Sequence, residues 1–103
     1  MALGEELGLV ADDFPAKEMY NLSNQLRRSV DSIALNIAEG SILQSKKENG
    51  RFLGYAIRSL AEVVTCLYKA KNRKYITEGK FELQYQECFN LMNMLVSYRS
   101  KII

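Results

Sequence analysis

The sequence predicts an all-α fold, an antiparallel up-down four-helix bundle with a shortened first helix. Three observations predict it. Apolar residues recur at spacings of three and four along each long stretch, the mark of a buried helical face. No segment alternates as a strand would. The breaks between stretches are short, which places consecutive helices side by side and antiparallel. The 103 residues form a single domain, residues 1–103, of 48% hydrophobic content. A chain of that size buries roughly 60–70% of its unfolded surface, so a real core is available.

The first helix spans residues 2–12, with Leu3, Leu7 and Val10 on one face. Gly4 and Gly8 weaken it by about 1 kcal/mol each relative to alanine, so it needs a partner. Pro15 disfavours helical geometry at Phe14, placing the break near Asp13-Phe14, and suits the first turn of the next helix. The second helix then runs from about Ala16 to Glu39. Met19, Leu22, Leu26, Val30, Ile33 and Ile37 form its core stripe. Beside it runs a stripe of Gln25, Ser29, Ser32 and Asn36, where small polar side chains admit a neighbouring helix closely and Asn36 can hydrogen-bond across. Arg27, Ala34 and Ala38 flank the other side. Asn24, Arg28, Asp31 and Leu35 point away, and the exposed leucine hints at a subunit contact. Gly40 ends the helix, as a glycine in the left-handed conformation commonly does.

Residues 41–44 connect. Ser45-Lys46-Lys47-Glu48 has the pattern of a capping box, opening a third helix that reaches Lys71 to Lys74. Its core stripes are Phe52, Ala56, Ser59, Val63, Leu67 and, beside them, Leu53, Ile57, Leu60, Val64. An apolar arc of nearly half the wheel packs against more than one neighbour. Asn49 falls inside that arc, so a loose first turn is expected. Thr77 caps the fourth helix. Phe81, Tyr85, Cys88, Phe89, Met92, Leu95 and Val96 are expected to face inward, Leu91, Tyr98 and Ile102 to widen the arc, and Leu83 and Met94 to point outward.

Composition narrows the chemistry. The chain has no histidine, the commonest general base and metal ligand near neutral pH. It has no glycine-rich phosphate loop and no Glu-x-x-His pair. Glu39, Glu62 and Glu82 are the carboxylates that folding could bring together, though helices commonly carry scattered acids. No catalytic residue, metal ligand or cofactor is assigned, and an enzyme is not expected. Cys66 and Cys88 sit at apolar helix positions and read as reduced core thiols. There is neither a membrane-length apolar run nor a basic leader at the N-terminus, so cytoplasmic residence without a membrane partner is expected.

The net charge of +2 hides an asymmetry. Residues 1–18 carry five acids and one base, and the rest carries thirteen bases and seven acids. Arg27-Arg28 offers a phosphate contact or, more simply, a salt bridge or solvated face. Lys69, Lys71, Arg73 and Lys74 crowd the end of the third helix, where cations complement the helix dipole. Tyr68 and Tyr75 lie among them and can stack on bases or pack. Arg27, Arg28, Arg51, Arg58, Lys69 and Arg73 are the nucleic-acid-binding candidates.

The motifs Leu26-Arg27-Arg28-Ser29, Ser32-Ile33 and, above all, Asn36-Ile37-Ala38-Glu39-Gly40 resemble the bacterial four helix bundle protein family. Its founding members are encoded in intervening sequences of the large-subunit ribosomal RNA gene. Phe14-Pro15, Lys17-Glu18, Tyr20-x-Leu22 and Gln25 continue the resemblance upstream. Lys47-Glu48, Arg51-Phe52-Leu53, Ser59-Leu60-Ala61-Glu62 and Tyr75-Ile76 continue it downstream, so it covers nearly the whole chain. Asn36, Glu39 and Gly40 are the structural core of the motif. The resemblance implies a four-helix bundle, a ring-shaped homo-oligomer such as a pentamer, and association with RNA or DNA. A relative encoded in diversity-generating retroelements implies a reverse transcriptase or other protein partner.

Three features depart from the family pattern. Residues 1–12 match only the second half of the family's first helix, which leaves a groove between the other helices partly unfilled. Ser41-Ile42-Leu43-Gln44 stands where the family is often rich in glycine and arginine, which weakens any phosphate contact there. Asn49-Gly50 replaces apolar residues. The function expected is a non-enzymatic homo-oligomeric bundle that associates with RNA or DNA through a basic surface. The alternative is a self-assembling scaffold that binds a protein partner without touching nucleic acid.

Overall fold

The structure, a computed structural model, describes residues 2–42 and 45–103. Among them the chain forms α1 (Ala2–Asp12), a single 3₁₀ turn (Ala16–Glu18), α2 (Leu22–Ser41), α3 (Lys46–Asn72) and α4 (Glu78–Ile102), with no strand. The bundle measures 43 × 24 × 19 Å. Each helix packs on the next in sequence, α2 against α3 most extensively, and α1 makes a slight contact with α4. The diagonal pairs, α1 with α3 and α2 with α4, do not approach each other among the described residues.

Residue pairing shows the antiparallel course. Along α2 and α3, Gly40 lies against Phe52, Ser32 against Ser59 and Ser29 against Glu62. Along α3 and α4, Gly50 lies against Ile103 and Gly54 against Arg99, while at the other end Tyr68 meets Phe81, ring centres 4.9 Å apart. The core runs the length of this stack. Leu7, Leu22, Leu26, Ile33, Leu53, Leu60, Leu67 and Cys88 are fully buried in it. Burying one such leucine stabilises the fold by roughly 1.5–3 kcal/mol, which is how α1 survives its two glycines.

The helix starts follow local chemistry. Ser45 Oγ accepts the Glu48 amide at 3.3 Å and Thr77 Oγ1 accepts the Lys80 amide at 3.1 Å, each satisfying one of the orphan N–H groups of a first turn. Only half of the expected capping box forms. Glu48 turns its carboxylate to Arg51, one turn onward, because a guanidinium is a stronger partner than the Ser45 amide.

Four other expectations need correction. The second helix does not begin at Ala16. Residues 16–18 make a 3₁₀ turn, with Glu18 N donating to Pro15 O at 2.8 Å. Asn21, at φ −127° and ψ −100°, then breaks the path before α2. Glu18 is buried in this bend, held by Arg73 at 3.0 Å, whereas Met19 lies outside α2 and 50% exposed. Gly40 is not a left-handed stop, since α2 continues through it to Ser41 and no glycine has positive φ among the described residues. Its role is clearance: a Cβ there would sit 2.7 Å from Asn49 Oδ1 and 3.1 Å from Phe52 Cβ. The first turn of α3 is not loose, because Asn49 abuts Gly40 and Arg99 Nε donates to Gly50 O at 2.7 Å. On α4, Phe89 and Val96 are about half exposed, as is Tyr98. Among the described residues that helix touches only α3 and the short α1, so it buries a narrower arc than its apolar residues span. Its inner line instead includes Gln84, buried, with Oε1 lacking a partner among the described residues. Leu35, Leu83 and Met94 are exposed as expected. Leu43 and Gln44, two residues of the connecting loop, lie outside the described residues.

Asn36 also acts differently from expectation. Its amide donates within its own helix, to Ser32 O at 2.8 Å and Ser32 Oγ at 3.0 Å. Ser32 in turn reaches Ser59 Oγ of α3 at 2.9 Å. Asn36 thus aims the side chain that crosses the contact.

Two pairs of substitutions test this packing. Gly40→Ala should destabilise by about 1–3 kcal/mol, since backbone and Phe52 must shift to admit the methyl. Gly8→Ala, where a Cβ meets nothing within 4 Å, should stabilise by up to about 1 kcal/mol. Urea denaturation of both variants checks the signs. Asn36→Leu should cost about 1 kcal/mol more than Asn24→Leu at the exposed face, the scale of a lost internal hydrogen bond. Equal melting temperatures for those two would contradict the assigned role of the Ser/Asn stripe.

Candidate nucleic-acid interface

The seam between α2 and α3 opens on its outer side into a cleft of about 260 Å³. Helical spacing builds it. Gln25, Arg28 and Ser29 project from α2. Glu62, Thr65, Cys66 and Lys69 project from the facing turns of α3. Ser29, buried, donates from Oγ to Glu62 Oε2 at 3.1 Å, which fixes the carboxylate at the cleft wall. Thr65 Oγ1 donates to the Ala61 carbonyl of its own helix at 3.1 Å, leaving its oxygen free to accept. Cys66 closes the floor as a free, buried thiol. Burial pushes its pKa up, the Lys69 ammonium opposes this, and the Glu62 carboxylate adds to it.

The six candidate cations do not share one surface. Arg27 leans to the opposite edge of α2 and pairs with Asp12 of α1. Arg51 pairs with Glu48 and lies over the Phe52 ring, 5.9 Å from its centre. Arg73 pairs with buried Glu18 at 3.0 Å. Arg28, Arg58 and Lys69 have no ion-pair partner among the described residues. Arg28 and Lys69 meet at the cleft. Arg58 lies on the same exposed face of α3, about three turns or 16 Å before Lys69.

Lys71 is engaged elsewhere, 3.7 Å from Glu78 and 4.6 Å from the centre of the Phe81 ring. Tyr75 packs on Phe14, centres 5.6 Å apart, and Tyr68 lies against Phe81 and Tyr85. These tyrosines serve the bundle end. Of the family motif, Asn36 and Gly40 shape the α2–α3 contact, and Glu39 is exposed without an ion pair among the described residues. Glu39, Glu62 and Glu82 do not assemble: no group of three or more acidic or cysteine side chains suited to a metal exists among the described residues.

Sequence reasoning missed the Glu62 partnership and the buried Glu18–Arg73 pair. The first had a signal. Ser29 and Ser32 repeat at a spacing of three on α2, and Ser59 and Glu62 do the same on α3, so an antiparallel pairing brings both couples together. The second had none, because a lone glutamate before an amphipathic helix reads as solvated.

The model of one protein family, described as 23S rRNA-intervening sequence protein, matches residues 1–97. It is the family of intervening-sequence proteins that the Asn36 to Gly40 motif resembles. No curated protein matches the chain.

The two thiols give a pH test of the α3–α4 core, where Cys88 lies, and a labelling test of the cleft, where Cys66 lies. Burial, helped by the Glu87 carboxylate, pushes Cys88 from its ordinary 9.0 to about 11. Between those values the unfolded thiol has ionised and the folded one has not, so the folded state holds the extra proton. Stability must then fall as pH rises from about 9 to about 11. Cys88→Ala should flatten that part of a stability–pH profile relative to wild type. At pH 8, a small alkylating reagent should label Cys66, at the cleft floor, before Cys88. Labelling in the reverse order would contradict the accessibility assigned to the cleft.

Proposed function

The chain belongs to the 23S rRNA-intervening sequence protein family, and from that premise we propose that it is a non-enzymatic, self-assembling bundle that associates with nucleic acid. The observation that carries this reading is the outer face of α2 and α3. There Arg28, Arg58 and Lys69 are exposed and unpaired among the described residues, whereas the other candidate cations are engaged by carboxylates of the chain itself. Unpaired cations on a polar cleft suit phosphate contacts, which give affinity without base readout.

Self-assembly is supported by exposed apolar side chains away from that face. Leu83, Met94 and Tyr98 lie along one side of α4; Leu35 is also exposed, but on the outward face of α2 that carries Arg28 about two turns earlier. The three side chains of this α4 stripe are left uncovered by α1 and α3, the two helices that α4 contacts among the described residues. The same stripe favours the second reading, a scaffold that engages a protein partner and leaves nucleic acid alone.

Binding of labelled structured RNA and duplex DNA across a salt series, with the solution mass measured in the same buffers, separates the two. The proposal expects a homo-oligomer whose log affinity falls against log salt by about 0.7–0.9 per phosphate contacted. Arg28→Glu combined with Lys69→Glu should abolish binding and leave the mass unchanged. A well-folded oligomer that binds neither nucleic acid at low salt overturns the nucleic-acid reading in favour of the scaffold.

A further inference from the structure

The cleft contains an unusual balance of charge. Arg28, Lys69 and Glu62 all line it, yet neither cation comes within ion-pair distance of the carboxylate. Glu62 instead accepts from Ser29 at 3.1 Å, a neutral donor that holds it against α2. The three charges therefore stand around open space. A bare phosphate would satisfy the cations but repel Glu62. A ligand that presents an anion and, one sugar away, a hydroxyl donor would satisfy all three.

We propose that the α2–α3 cleft seats one ribose–phosphate unit of an RNA strand, with Arg28 and Lys69 on the phosphate and Glu62 accepting a hydrogen bond from the ribose 2′-hydroxyl. This rests on the nucleic-acid reading above and deepens it to RNA over DNA. The 2′-hydroxyl is the group by which a protein tells the two apart at a given site. Deoxyribose offers no donor there, so DNA leaves Glu62 facing the phosphates uncompensated. The volume of about 260 Å³ lies just under the ~300–1,000 Å³ of drug-sized sites, which suits a sugar–phosphate unit with its base left outside. The preference is then independent of sequence. Thr65 Oγ1 and the Gln25 amide stand at the rim as further polar partners.

The test compares single-stranded RNA, DNA and 2′-O-methyl RNA dodecamers of one sequence. Wild type should favour RNA over DNA by about tenfold, the scale of one charge-assisted hydrogen bond. It should treat 2′-O-methyl RNA like DNA, since that sugar keeps the ribose pucker but lacks the donor. Glu62→Ala, at an exposed position, should bring the RNA-to-DNA ratio close to one and leave DNA affinity unchanged or slightly raised. Glu62→Gln, which keeps a neutral acceptor, should retain part of the ratio. Equal wild-type affinity for RNA and DNA would overturn this inference while leaving the nucleic-acid reading intact. So would a ratio untouched by Glu62→Ala. Binding of neither polymer would overturn both. A free nucleoside 3′-monophosphate that binds as tightly as the RNA dodecamer would overturn the strand as the source of the ligand.

Discussion

The close contact between α2 and α3 is the constraint on which the rest of the molecule depends. Two helices of 20 and 27 residues are drawn together by small side chains at their interface. Ser29, Ser32 and Ser59 take little room, and Gly40 takes none where Asn49 and Phe52 press in. Alanines would allow the same approach, but serines do more. Ser32 with Ser59, and Ser29 with Glu62, satisfy each other in one register alone. A slip by one turn would strand part-buried hydroxyls, at about 1–3 kcal/mol for each one left unpaired. The interface thus specifies alignment as well as contact. Because α3 also carries α4 on its other side, fixing α2 on α3 fixes where every other helix must dock.

How much of this was legible in the sequence depended on how local each cause is. Helical periodicity is local, and it located all four helices, the caps at Ser45 and Thr77, the serine stripe and the outward Leu35, Leu83 and Met94. What was misread depends on partners distant in the chain. The bend after Pro15 is held by Glu18 on Arg73, 55 residues apart. Gly40 looked like a helix stop because glycine commonly is one, whereas its use here is set by what lies opposite on α3. Phe89 and Val96 looked buried because an apolar residue on a wheel shows a direction but not whether a neighbour occupies it. The cleft itself was half legible. Arg28 and Lys69 stood out as cations, but which cations remain unpaired is settled only by where the acids fall.

Pairing reshapes the electrostatic picture more than net charge does. An exposed ion pair such as Arg27 with Asp12 contributes little stability, typically under ~1 kcal/mol. It does, however, engage a cation that would otherwise offer itself to a ligand. The acids concentrated in residues 1–18 act in this way, with Asp12 on Arg27, Asp13 on Lys80 and Glu18 on Arg73. The N-terminal segment therefore removes positive charge from one end and one side of the bundle. Of the six candidate cations, the three left without an ion pair among the described residues, Arg28, Arg58 and Lys69, are on the α2–α3 face. Family membership accounts for the fold, but a fold is shared by many functions, and the chemistry belongs to such a local arrangement.

The two proposed activities need different mechanical properties, and the bundle supplies each on a different side. A cleft that discriminates sugars by one hydrogen bond must hold its groups in place before the ligand arrives. Its walls are the two most extensively packed helices, and its acceptor is already fixed by Ser29. An assembly surface has the opposite need, an apolar stripe that the monomer leaves uncovered. That stripe is on α4, the helix that packs on α3 and only slightly on α1. Like charges on the α2–α3 face would repel a second copy docking there, whereas along the α4 stripe of Leu83, Met94 and Tyr98 the exposed charges, Glu87 and Lys101, are of opposite sign. The proposed assembly through α4 would leave the α2–α3 cleft uncovered, and several such clefts would then engage one RNA strand at several phosphates at once. Salt dependence would then be steeper than one cleft could produce, because each seated phosphate would release its own counterions.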